Sequence, residues 1–493
     1  MLAAVLPAML WPGDNPWTND EPRLLANAWH ASAAGHPAWG GLWGNFGIRY
    51  GPLPTQLYQL LLGITHDPLI LAALRGVLCA ALTGGSLLWL ARSAGFSPWF
   101  AVAVVAAPRV LINHRTLWDA SFAMPLGALA LAALAALVRG GAARNLILSF
   151  TASAFLATVH PQALPLAAAI GGFIVWRRRP ALRANWRALL VVLAFFLALN
   201  GAYFFQLTQL IAGRFLGAVS AGYPGGAPPH IAALAPFLGG NLLAAPPDAA
   251  AQTFIVWMQR LTLLVYPLCW AGLALAARRA WKLVRNHPAT ARENETVIAK
   301  ENNVRDAVAA VALAAVVMQG LLFAVMRVPS GDQYFFGTFA AHVCLAWLGV
   351  DALAACSLRN AAIAAWGIAG ASLSFHAMLL AHERGLPGDP APPSLAVQQE
   401  VARSLGEYSA PVVFTDAPYL RRFPQGIRAL RLLLPIASGK SGARLLITPR
   451  IESDGKGGRL EVRELADAEI LPPSATPLDI TPLPEGWFPP PAP

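Results

Sequence analysis

Charge is scarce in this 493-residue chain. Asp, Glu, Lys and Arg make up 12% of it, about half the share usual in soluble domains. With 56% apolar residues and a mean hydropathy of +0.51, this excludes both an intrinsically disordered chain and an ordinary soluble globule. Cysteine is scarce too. Cys79, Cys269, Cys344 and Cys356 each sit in an apolar run with no CxxC pair, which argues against a disulfide framework or a metal cluster. No short-period repeat is present. Nothing resembles a nucleic-acid-binding module, so the net charge of +11 is read as a topology signal and not as a nucleic-acid footprint. What remains is an all-α polytopic membrane protein.

Apolar length marks the spans, since about 20 helical residues cross the hydrocarbon core. The clear runs are 69–91, 98–114, 120–138, 188–206, 253–277, 306–326, 335–355 and 360–381. Residues 145–176 hold two shorter spans broken at His160-Pro161. The stretch from Met1 to Trp11 reaches only about 16 Å as a helix and lacks a basic leader and a cleavage site. It is expected to be what is left of a longer first span. Counting it gives about 11 transmembrane helices.

The basic residues decide orientation. One set of loops carries Arg92, Arg139, Arg144, Arg177, Arg178, Arg179, Arg183, Arg187, the dense group between 278 and 305, and Arg359. The alternate loops carry the sparser Arg23, Arg49, Arg109, Arg115, Arg214 and Arg327. The positive-inside rule places the first set in the cytoplasm. The loops 12–68 and 207–252 and the C-terminal tail are then expected outside. Residues 284–305 read as a polar cytoplasmic linker. The glycine- and proline-rich stretch 221–241 reads as a mobile cover. The tail, 382–493, carries balanced charge between proline-rich stretches. Its short apolar runs at Val412–Phe414 and Leu445–Ile447 read as strands, and 395–408 reads as helix. We expect two domains: a membrane domain over 1–381, and a small α/β extracytoplasmic domain over 382–493.

Carboxylates near hydrocarbon are costly and become functional candidates. On the outer side these are Asp14, Asp20, Glu21, Asp67, Asp119, Asp248 and Asp332. The outer loop 12–68 is long enough to point to function. Thr18 and Glu21 are spaced as a capping box. Pro22 to Ser32 is amphipathic, with Leu24, Leu25, Ala28 and Trp29 on one side, as in a helix lying in the interface. GPLPTQLYQLLLGI is a second short apolar helix. Two readings of Asp20-Glu21 stand: a helix cap that complements the dipole, or chemistry.

A second cluster, PRVLINHRTLWDASF (108–122), brings Arg109, His114, Arg115 and Asp119 to the outer end of a span. Arginine suits bidentate phosphate contact and histidine can join as a donor; snorkelling with an Arg–Asp pair is the structural alternative. A third, RVPSGDQYFFGTF, crowds Arg327, Asp332, Gln333 and Tyr334 at the same surface, where an aromatic-belt anchor is the alternative. His160 is read as structural, although broken helices often line cavities.

Four features in order resemble the membrane-embedded GT-C glycosyltransferases, specifically the bacterial relatives of the protein O-mannosyltransferases (glycosyltransferase family 39). They are Asp20-Glu21 opening an interfacial helix after the first span; GPLPTQLYQLLLGITHDPLILAALRGVLCAALTGG (51–85); RTLWDASFAMPLGALALAALAAL (115–137), where relatives tend to have Asn at the place of Asp119; and HPQALPLAAAIGGFIVWRRRP (160–180). The resemblance covers roughly residues 12–350 and implies a GT-C-like fold in the bacterial inner (plasma) membrane. It implies a polyprenyl-phosphate sugar donor and an acceptor hydroxyl on lipid, glycan or protein. Transfer would invert the anomeric centre at an extracytoplasmic site.

Asp20 or Glu21 would be the catalytic base. Arg109, His114, Arg115 and Arg327 would bind the donor phosphate, and Asp119, Gln333 and Tyr334 would contact acceptor or sugar. Some members of the class use a divalent cation such as Mg or Mn and others do not. Two further classes stand beside this one: a transporter or flippase for a lipid-linked saccharide, and a non-catalytic membrane scaffold. Transport is disfavoured by the near absence of mid-span charge, with Arg75 and Arg260 each read as lying near a span end.

Overall fold

The computed structural model describes residues 5–18, 20–43, 48–217, 260, 265–285, 297–326, 332–353, 356–386, 392–409, 411–422, 424–434, 440–449, 460–466 and 469–479. The first 3-10 turns among the described residues are at Leu6–Met9 and Pro12–Asp14. Two helices of the first loop follow, α1 (Asp20–Ala33) and α2 (Leu53–Leu62), and they pack on each other. Both were expected from the sequence. The apolar side of α1 is packed against protein: Leu24, Leu25 and Ala28 are fully buried in the core of the molecule and not left facing outward as an interfacial helix would leave them.

Helix α3 (Pro68–Ala94) starts where Asp67 accepts a hydrogen bond from the Leu69 amide at 2.8 Å with Pro68 in the first turn, and it stops at Gly95 in the left-handed region. The expected span 98–114 is instead two eight-residue helices, α4 (Pro98–Val105) and α5 (Pro108–Arg115). The cause is Pro108. It lacks an amide hydrogen and forces Ala107 into extended backbone, at ψ 140°. α6 (Ala123–Gly140) is capped by Gly141. α7 (Ala143–Val159) and α8 (Leu164–Arg177) meet at the expected break, where His160 is extended ahead of Pro161.

α9 (Arg179–Ala184) leads into α10 (Trp186–Gly217), followed by α11 (Val265–Arg285), α12 (Val297–Met326), α13 (Phe339–Asp351) and α14 (Cys356–Arg384). The expected linker 284–305 is helical at its end: its last nine residues, from Val297, form the first turns of α12. The expected cover at 221–241 lies outside the described residues.

Among the described residues five helices are long and apolar enough to cross a membrane: Pro68–Ala94, Ala120–Gly140, Trp186–Gln209, Lys300–Leu322 and Ser357–Glu383. Ala143–Val159 and Phe335–Asp351 are shorter apolar helices. Together with the composition they make this a multi-pass membrane protein. α11 and α13 cross closely through Gly272 and Gly349. A Cβ at either position would overlap the facing backbone carbonyl, of Leu345 or Leu268 respectively. Small residues at such crossings let helix backbones approach. Gly349→Ala is expected to lower the thermal midpoint by several degrees in detergent, because backbone cannot yield as a side chain can.

The tail forms helices α15 (Leu395–Gly406), α16 (Pro418–Arg422) and α17 (Pro424–Arg431) beside a four-stranded sheet of order β5-β4-β2-β6. Here β2 is Val412–Thr415, β4 Arg444–Pro449, β5 Leu460–Glu464 and β6 Thr476–Leu478. The two strands read from the sequence pair in parallel, Val413 with Leu445 and Phe414 with Leu446, while β5 and β6 flank them antiparallel. β1 (Tyr408–Ser409) and β3 (Lys440–Ser441) form a separate parallel pair.

Candidate functional site

The first turn of α1 uses its two carboxylates differently. Glu21 accepts hydrogen bonds from the Thr18 amide and the Thr18 hydroxyl, each at 3.3 Å. This is the reciprocal arm of the capping box, and Glu21 is buried there. Asp20 is the open one. Its side chain is 38% exposed, lies 3.8 Å from Arg23 one turn on and sits beside the Trp118 side chain. Partial burial still raises the Asp20 pKa, with Arg23 and Trp118 opposing that rise.

Trp118 and Asp119 arrive from the corner between α5 and α6. Asp119 caps the 3-10 turn Ala120–Phe122 by accepting from the Ala120 amide at 2.7 Å. It is 1% exposed, and its second oxygen, Oδ2, is buried without a hydrogen-bond partner. Burial first, then the charge of Asp20, push the Asp119 pKa up to about 7; Glu21 adds to the rise and the backbone amides oppose it. Residues 20, 21 and 119 thus share one electrostatic site. Tyr58 of α2 joins them from below, fully buried, edge-on to Phe122 at 5.8 Å and within electrostatic reach of Asp119, Glu21 and Arg75.

Arg75 builds the corner. It lies in the eighth position of the 27-residue helix α3 and is fully buried, with its partners at the corner that closes the same end. One guanidinium nitrogen, Nη1, donates to the carbonyls of Asn113, at 3.1 Å, and His114; the other, Nη2, donates to the Trp118 carbonyl, at 3.2 Å, and to the Ser121 hydroxyl. Its charge also sits over the Phe122 ring, 4.8 Å from the centroid. The carbonyls at the end of α5 are orphans of the helix, and a forked cation satisfies two turns at once. The sequence signal was there: an arginine inside a long apolar run is a functional-site candidate by default.

The second expected cluster is split by the fold. His114 turns inward, fully buried, with Nε2 2.9 Å from the Thr83 hydroxyl of α3. Arg115 is also buried and donates to the carbonyls of Leu10 and Trp11 at 2.6 and 2.7 Å. It clamps the N-terminal segment where Trp11 takes left-handed backbone, φ 45°, a conformation costly for a residue with a Cβ. Both residues are buried and hold protein partners here, His114 through Nε2 and Arg115 through Nη2. Arg109 lies on α5, but its side chain is outside the described residues, as is all of Arg327. Gln333 and Tyr334 fall in the 3-10 turn Asp332–Thr338, again with side chains outside the described set. That turn nevertheless reaches the site: Phe336 meets Trp118 edge-on at 5.7 Å. His160 pairs with the Tyr50 hydroxyl at 3.3 Å, the structural role read for it.

Among the described residues no group of three or more His, Cys, Asp and Glu is arranged to hold a metal ion.

Asp119 has a measurable consequence. A carboxyl whose pKa is higher folded than unfolded binds the extra proton only in the folded state, so stability falls as pH rises from about 4 to about 7 and is flat above. Asp119→Asn keeps the acceptor for Ala120 and cannot ionise. It is expected to match the wild type near pH 4 and to melt several degrees higher at pH 8. A thermal scan across that range checks it; parallel curves for the two proteins would refute the buried charge.

No protein-family profile matches the chain, and no curated protein matches it in sequence. Among solved structures, ArnT from Cupriavidus metallidurans in the apo state aligns with TM-score 0.47 at 12% identity, covering 91% of each chain. ArnT from the same organism bound to undecaprenyl phosphate aligns with TM-score 0.48 at 12% identity, covering 95% of this chain and 97% of that one.

Proposed function

We propose that this protein is an inverting glycosyltransferase. It moves a sugar from a polyprenyl-phosphate donor to an acceptor hydroxyl on the extracytoplasmic side of the membrane. The observation that supports this reading best is Asp20. It is a half-exposed carboxylate at the start of an amphipathic helix, beside a cation at 3.8 Å and a buried second carboxyl, Asp119.

In the proposed step the acceptor oxygen attacks the anomeric carbon and its proton passes to the Asp20 carboxylate. The bond from that carbon to the phosphate oxygen breaks, and its electron pair leaves with polyprenyl phosphate. Asp20 is assigned the base role over Glu21 because the Glu21 carboxylate is engaged by Thr18. Arg23 is assigned to the leaving phosphate, together with Arg109 and Arg327; oriented cations stabilise such developing charge. His114 and Arg115 are left out of that role because both are buried and bonded to Thr83 and to the Leu10 and Trp11 carbonyls. No step is routed through a metal.

The test offers purified protein in nanodiscs a panel of labelled polyprenyl-phosphate sugars, with membrane extract as acceptor source. Release of polyprenyl phosphate from one sugar, dependent on Asp20, is the expected result. No release from any sugar would overturn the reading and return weight to a transporter or scaffold.

A further inference from the structure

The C-terminal domain does not stand apart from the acidic motif. Pro16 bridges Ser394, and the Leu395 amide donates to the Asn15 carbonyl at 2.9 Å. The Gln398 side chain of α15 donates to the Trp17 carbonyl at 2.6 Å and to the Pro393 carbonyl at 3.0 Å. The Trp17 indole, fully buried, donates to the Ala429 carbonyl of α17 at 3.1 Å. Tyr419 of α16 lies beside Thr18 and within electrostatic reach of Glu21. On the other side of the same segment, Arg115 holds the Leu10 and Trp11 carbonyls. Residues 10–18 are thus pinned from both faces, and the next two described residues are Asp20 and Glu21. Thr18 is the common member: it donates to the Glu21 carboxylate and lies beside Tyr419.

We propose that Gln398 and Tyr419 are positioning residues for the acidic turn, so that the C-terminal domain aims Asp20 rather than merely being displayed beside the membrane. The aiming role rests on the function proposed above; the holding role does not. Gln398 is buried and has one task per amide hydrogen that the structure accounts for. Its loss frees the Trp17 carbonyl without touching Asp20. Loss of the Tyr419 hydroxyl removes a polar neighbour of Thr18, and through it loosens the cap.

The experiment uses the full chain in nanodiscs with Tyr419→Phe and Gln398→Met. Hydrogen exchange is followed over residues 17–24 without substrate, and kcat and KM are measured on the donor found above. Exchange there is expected to quicken about tenfold in both variants, with kcat down about tenfold and donor KM unchanged. Thr18→Val combined with Tyr419→Phe should be no slower than either alone. Gln398 is deeply buried, so a misfolded Gln398→Met leaves the half-buried Tyr419 to decide. Unchanged exchange in Tyr419→Phe overturns the proposal. Faster exchange with unchanged kcat overturns the aiming role. A wild type inactive on every donor fails the transferase reading instead, and the exchange result still decides whether the domain holds the turn.

Discussion

Asp20→Asn is expected to lower turnover about 10³-fold while the protein inserts, purifies and melts like the wild type. The size follows from the role: a positioned general base contributes about 10²–10⁴ to rate. The neutral structural effect follows from the geometry. The Asp20 side chain is 38% exposed and its ion pair with Arg23 is long, at 3.8 Å, so it holds little of the fold together. Asn keeps the shape and the contact with Trp118 while removing the proton acceptor. The companion Glu21→Gln should behave in the opposite way. It weakens the bonds from Thr18 and costs stability first, about 1 kcal/mol for a helix cap, with activity falling only as far as the turn loosens. A comparison of kcat with melting temperature for the two variants separates base from cap. Normal turnover by Asp20→Asn would remove Asp20 from the chemistry.

Arg75→Met carries the second large effect, and here stability and activity should fall together. The methionine fills part of the volume but leaves the carbonyls of Asn113 and His114 and the Ser121 hydroxyl without that donor, while the Trp118 carbonyl keeps its bond from Ser121. Unmade hydrogen bonds to buried groups cost about 1–3 kcal/mol each. The loss of the buried charge offsets part of that, so a net cost of about 3 kcal/mol is expected. Lysine should rescue only partly, because a point charge cannot fork across two turns of backbone. Turnover should drop at least tenfold in both variants, since Trp118 and Asp119 ride on the corner that Arg75 pins. Detergent melting curves and initial rates check this. A wild-type melting temperature in Arg75→Met would mean that the corner is held by its apolar packing alone.

The contrast between these two residues shows where the sequence was informative. Asp20 and Glu21 were legible as a pair because their signal is local. A capping threonine, an acid three residues on and an amphipathic run after it lie within one stretch of chain, and α1 forms as that pattern requires. The break at His160-Pro161 and the strands at Val412 and Leu445 were legible for the same reason. Pro108 carried an equally local signal that apolar length concealed, so one expected span is two short helices. Arg75 was visible as an oddity, but its partners lie 38 to 46 positions later in the chain, and only folding brings them within reach. Arg115 and His114 were misleading in the other direction. Their side-chain chemistry suits phosphate, yet their neighbours in space are a backbone clamp and Thr83.

By itself the sequence determined the solvent this protein lives in, the helices and strands set by periodicity, proline and glycine, and the acidic turn. These depend on transfer energies and on backbone sterics over a few residues. The tertiary structure alone decided that Asp119 lies within electrostatic reach of Asp20, that Arg75 holds the corner carrying Trp118 and Asp119, and that α15 and α17 bond to Trp17 just ahead of the acidic turn. The reason is physical. A carboxyl is raised to about 7, and a carbonyl finds its donor, through atoms a few ångströms away in space, and that distance is fixed only when segments far apart in the chain pack together.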